Sequence, residues 1–178
     1  MKLMLQQNSV KKGGDMKIKT SQLGLLLCTS LILSYIESQI SFPFAVPGMK
    51  LGLPNMAIVM VLYLFGWKEA LLINASRILL SGFMFGSLFG ILFSLSGALI
   101  SGFIMILVKH FDLFSIKGTS ICGGVSHNVG QLLVAAFIVK TSGIMYYTPA
   151  LMIAGLITGL LIGIIAEAVI PVVKKTIR

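Results

Sequence analysis

Few residues of this chain have the type and spacing to do chemistry, and they fall into two groups. Arg77 is the only charged residue between Ala70 and Val108. It lies nine residues past Lys68, which is ~13 Å of helix. A guanidinium at that depth in an apolar segment costs ~3 kcal/mol on insertion scales, and such a charge faces a cavity or a partner. Asn74, three residues earlier, shares its helix face. The second group is His127, Asn128 and Gln131, whose three- and four-residue spacings point the side chains roughly one way. His127 follows Lys117 by ten residues, so both groups are expected near mid-depth. One reading is a polar pocket in which Arg77 engages an anionic or carbonyl-bearing ligand. The other is a hydrogen-bond clamp between two helices. Glu37, Lys50 and Asn55 flank a loop rich in Pro, Phe and Gly at Ile40–Leu53 and can line a pocket mouth. Glu37 and Lys50 read first as solvated interface charges, as do Glu69 and Glu167 at the opposite boundary.

Other chemistries lack their residues. No GxxxxGK[ST] loop is present; Lys117-Gly118-Thr119 has the wrong order. The five acids of the chain are nowhere paired, so an Asp-rich Mg²⁺–diphosphate site is not expected. No nucleophile with a base beside it can be read, and no metal or other cofactor is expected in this chain. Cys28 and Cys122 have no metal-ligand spacing and read as small buried apolar side chains.

The elements that hold these residues are apolar. Of 178 residues, 57% are hydrophobic and 11% charged, and the mean hydropathy is +1.01. A soluble domain carries about a quarter charged residues, so lipid must replace water over most of this surface. The net charge of +9 is spread thinly between apolar runs, which argues against nucleic-acid binding. Six spans are predicted: Thr20–Gln39, Pro54–Gly66, two within Ala70–Val108 with a turn near Gly82–Gly86, Thr119–Val139 and Tyr147–Val172. The second is only ~20 Å long, so the Gly/Pro loop before it is expected to dip into the membrane. Residues 1–19 read as a basic tail, disordered, resembling a signal-peptide n-region but followed by no cleavage site. Met16 opens a second start-like stretch. Residues 174–178 form a second basic tail after the six-helix domain at 20–173.

The basic residues orient the spans. With the N-terminus inside, Lys2, Lys11, Lys12, Lys17, Lys19, Lys68, Lys109, Lys117, Lys174, Lys175 and Arg178 are internal, and only Lys50 and Lys140 are external. That is a positive-inside bias with both termini cytoplasmic. Tyr35, Tyr146 and Tyr147 fall near the outer interface and Trp67 near the inner one. Small residues recur at four-residue spacing: Gly155, Gly159 and Gly163 in the sixth span, and Gly86, Gly90, Ser94, Ala98 and Gly102 in the fourth. Such ridges bring backbones close in lipid, either inside this protein or against a partner subunit.

Four segments resemble one bacterial membrane family, over residues 17–173. They are Pro47-Gly48-Met49-Lys50-Leu51-Gly52-Leu53-Pro54-Asn55, Leu64-Phe65-Gly66-Trp67-Lys68-Glu69-Ala70, Arg77 with Leu79-Leu80-Ser81-Gly82, and His127-Asn128-Val129-Gly130-Gln131-Leu132. The family goes by two names, Gx transporter and heptaprenyl diphosphate synthase component I. It is similar to the substrate-binding S components of energy-coupling-factor transporters. That resemblance implies an all-α, six-helix bundle in the cell membrane that binds a small vitamin-, flavin- or isoprenoid-like solute. It also implies a transmembrane coupling subunit and partner ATPases that hydrolyse ATP. The second name implies instead a non-catalytic membrane component of isoprenoid-quinone synthesis or flavin-based electron transfer. In neither case is the chain expected to be an enzyme.

Overall fold

The computed structural model describes residues 2–39, 52–139 and 142–177. Among these residues the chain is all helical: α1 (Lys2–Gln39), α2 (Asn55–Leu64), α3 (Trp67–Phe85), α4 (Leu88–His110), α5 (Ile116–Val139) and α6 (Thr148–Ile177), with a 3₁₀ turn at Ser142–Tyr147. Helices are what this composition demands, because a segment in lipid must satisfy its backbone polar groups internally. Four stretches are long and apolar enough to cross a membrane: Lys19–Gln39, Leu88–His110, Ile116–Ile138 and Thr148–Lys175. This is a membrane protein.

The two remaining helices differ from these for physical reasons. α3 has the length, but Lys68, Glu69 and Arg77 interrupt its apolar run. α2 has only 10 residues, ~15 Å, half of a ~30 Å hydrocarbon core. Gly66 ends it with a φ of +118°, a backbone conformation open to glycine and strained for other residues. The α3–α4 turn is Gly86–Ser87, where Ser87 caps α4 by accepting from the Gly90 N–H at 3.0 Å. Gly86 therefore lies in the turn and is not the first step of the α4 ridge. α1 is continuous from Lys2, through the basic segment. Tyr147 closes the 3₁₀ turn, and the last helix starts one residue later.

Close contacts fix the packing. α5 and α6 run antiparallel on glycines: a Cβ on Gly124 would lie 2.4 Å from the Gly155 carbonyl oxygen, and one on Gly159 would lie 2.8 Å from the Ile121 Cα. A Cβ on Gly163 would lie 2.7 Å from the Lys117 Cα. The Gly155–Gly163 ridge is thus spent inside the protein. α4 and α5 meet antiparallel at Gly97 and Gly130, and Gly102 of α4 faces Leu71 of α3. α1 and α3 run parallel, joined at one end by the Lys19–Glu69 ion pair. α2 is surrounded: Ile58, Val59, Val61 and Leu62 are buried against Met105 of α4 and Ile162, Ala166 and Ile170 of α6. Tyr63 of α2 shares a 2.9 Å hydroxyl–hydroxyl hydrogen bond with Thr119 of α5. Cys28, expected to be buried, lies on the outward face of α1.

Candidate functional site

The first predicted group is buried and assembled. Arg77 is 2% exposed. Its Nη2 and Nε donate to the Asn74 Oδ1 at 2.7 and 3.3 Å, and its Nη1 to the Ser34 hydroxyl of α1 at 3.4 Å. The i,i+3 relation of Asn74 and Arg77 makes this possible, since side chains so spaced share a face.

Glu37 belongs to the same site, contrary to its reading as a solvated interface charge. It is 5% exposed, and it acts electrostatically on Arg77. Its Oε1 accepts from two consecutive backbone N–H groups, Gly52 at 2.5 Å and Leu53 at 3.1 Å. These residues lead into α2 through a turn in which the Asn55 N–H donates to the Gly52 carbonyl. Gly52 has φ +93°, and a Cβ there would lie 2.9 Å from the Asn55 Nδ2, so glycine is required on two counts. Asn55 is itself buried in the first turn of α2. Lys50 lies outside the described residues.

The second group is split. His127 and Gln131 are buried together, the Gln131 amide nitrogen 2.7 Å from the His127 Nε2. With the amide N–H donating, a neutral imidazole carries its own proton on Nδ1. The ring lies against Gly97 and comes within 3.8 Å of where a Gly52 Cβ would stand. Gly52 is therefore the joint of the site: its N–H holds Glu37 and its Cα side abuts His127. Asn128 turns the other way. Its Nδ2 donates to the Leu151 carbonyl of α6 at 2.7 Å, because one residue of helix rotates the side chain by ~100°. Its buried Oδ1 has no hydrogen-bond partner among the described residues. Asn128 is a clamp between α5 and α6, while His127 and Gln131 face the Glu37 turn.

The site thus draws on α1, α2, α3 and α5. It offers donors (the Arg77 fork and two backbone N–H groups), one carboxylate, one imidazole and three amides (Asn55, Asn74 and Gln131), which suits recognition of a polar group. Among the described residues no three His, Cys, Asp or Glu side chains stand together to hold a metal ion. Gly86 and Gly90, singled out for helix packing, lie at the α3–α4 turn and in the first turn of α4.

At the opposite end of α2, Lys109 of α4 donates to the Leu62 carbonyl at 2.5 Å, with its ammonium 4.8 Å from the Tyr63 ring centre. From the sequence this lysine serves only as a topology marker. The signal was its place in the last turn of α4, but nothing in the sequence indicated which backbone it would reach.

Comparison with curated proteins and with solved structures finds no match. A family model described as heptaprenyl diphosphate synthase component I matches residues 26–169. That match spans every element of the site, from Ser34 and Glu37 to Gln131, and the chain belongs to the heptaprenyl diphosphate synthase component I family.

Proposed function

We propose that this protein is the solute-binding membrane subunit of a transporter, similar to an energy-coupling-factor S component. In this reading all six helices lie in the membrane and α3 spans from Ala70. Both termini are cytoplasmic, following the distribution of lysines, and the α1–α2 end of the site faces outward. The observation that carries the reading is the half-length α2, whose lead-in at Gly52 and Leu53 bonds buried Glu37 and abuts buried His127. Irregular backbone at depth is tolerated where it lines a cavity or is buried in protein, and interrupted helices at a midplane site are a recurrent transporter design. A buried polar cluster also makes a poor anchor, since structural burial of charge gains little stability. The solute is small and vitamin-, flavin- or isoprenoid-like, and partner subunits supply a coupling element and ATP hydrolysis.

The family description favours a second reading, a non-catalytic membrane component of heptaprenyl diphosphate synthesis. Purification from native membranes separates the two. A stoichiometric small molecule with a co-purifying membrane subunit and ATPases supports transport. An empty protein held by prenyl-chain enzymes supports the second reading. Arg77→Ala is expected to abolish retention of the small molecule while leaving expression intact; if it only prevents folding, the cluster is a helix clamp.

A further inference from the structure

The Glu37 carboxylate occupies the position an anionic ligand would take. Its Oε1 receives the N–H groups of Gly52 and Leu53 together, an arrangement of successive backbone donors that binds anions. The guanidinium of Arg77 lies close enough to act on it. A guanidinium has five N–H donors, and Arg77 places three of them on Asn74 and Ser34. This leaves two more for a planar carboxylate or phosphate, which guanidinium forks bind in pairs.

Charge balance then limits how such a ligand can enter. Among the described residues the buried site holds one cation, Arg77, and one anion, Glu37, and His127 is neutral when it accepts from the Gln131 amide. An anion added alone would leave a net negative charge away from water, which costs several kcal/mol or more. One proton restores neutrality. Among the described residues, the groups of the site around Glu37 include Ser34 on its own helix, Arg77 and Asn74 from α3, Gly52 and Asn55 from α2 and its lead-in, and His127 with Gln131 from α5 beside Gly52. Of these, only Glu37 and His127 can take the proton. At His127 it would meet the Gln131 N–H head-on, whereas a displaced Glu37 has just lost its two backbone donors. We propose that the site takes an anionic solute together with one proton: a carboxylate or phosphate group replaces Glu37 on the Gly52 and Leu53 N–H groups and takes the two remaining donors of Arg77, and Glu37 is protonated as it leaves. This rests on the solute-binding reading above.

The test uses the full chain in lipid nanodiscs with benzoate, phenyl phosphate and neutral benzamide as probes. Benzoate and phenyl phosphate distinguish a carboxylate from a phosphate. Benzoate stays ionised between pH 6 and 8, so its affinity should tighten about tenfold per pH unit as pH falls, with one proton taken up per molecule bound. Glu37→Gln, which keeps an acceptor for the two N–H groups, should bind benzoate with no proton uptake and no pH dependence. His127→Gln should still take up one proton, whatever its affinity. Pocket binding of benzamide as tight as benzoate keeps the solute site and overturns the anion. Benzoate binding that is independent of pH in the parent protein overturns the proton, and loss of uptake in His127→Gln overturns Glu37 as its acceptor. Failure of all three probes to bind saturably overturns this proposal, while the solute-binding reading is judged separately by what co-purifies.

Discussion

Gly97 of α4 lies so close to the His127 ring that a Cβ on it would stand 2.8 Å from both Nδ1 and Cε1, and equally near the His127 carbonyl oxygen. The imidazole is thus wedged between a helix backbone and the turn at Gly52. Gly97→Ala must push α4 and α5 apart or turn the ring. Overpacking of this kind costs about 1–3 kcal/mol. The melting temperature by circular dichroism should fall by about 3–8 °C. Gly24→Ala is the matched control, since nothing lies within 4 Å of a Cβ there. It should leave the melting temperature unchanged or raise it, because alanine favours helix.

The glycines of α6 give a second expectation. Gly159→Leu should prevent α5 and α6 from closing, with Gly155 and Gly163 behaving alike. The readout is folding yield and monomer stability in detergent. A variant that folds normally and loses only a co-purifying subunit would show that the ridge docks a partner.

Lys109 holds the far end of α2. Lys109→Met removes the donor to the Leu62 carbonyl, and a buried acceptor left unmet costs about 1–3 kcal/mol. A cysteine placed at Tyr63 should then react faster with a thiol reagent than the same cysteine beside an intact Lys109. Unchanged reactivity would mean the lysine is incidental.

Where α1 meets the start of α3, the Lys19 ammonium bonds Glu69 at 2.5 Å and, mainly through that bond, holds its carboxyl below the ordinary value of 4.5. A carboxyl whose proton is held less tightly in the folded state stabilises above the unfolded value, and the contribution is lost as pH falls through the folded one. Both side chains are partly exposed, so the effect is small and screened by salt. Lys19→Ala should be slightly less stable than the parent at neutral pH. The difference in denaturant midpoint should vanish well below pH 4.5.

Much of this was legible in the sequence because it depends on local spacing. The helix positions followed from apolar runs. The pairing of Asn74 with Arg77 and of His127 with Gln131 followed from helical periodicity, and the shortness of α2 from counting residues between Leu53 and Gly66. What escaped depends on contacts between elements distant in sequence. Glu37 sits two residues from the end of α1, where a charge usually reaches water, and only the return of Gly52 and Leu53 beneath it gives the carboxylate its donors. Asn128 carries the same spacing signal as His127, yet the glycine seam brings the Leu151 carbonyl within its reach. Periodicity names a face of a helix, and which neighbour covers that face is decided by packing.

α2 is held at both ends by charges belonging to other helices. A carboxylate meets the backbone N–H groups before its first turn, and an ammonium meets a carbonyl of its last. Each charge has the sign that the helix macrodipole favours at that end. The short helix is therefore clasped like a bar between two poles, and its length is set by the separation of Glu37 and Lys109. One inserted residue would lengthen it by ~1.5 Å and rotate one end against the other by ~100°. Only one clasp could then stay closed. α2 should accept substitutions along its sides far more readily than any change in its number of residues.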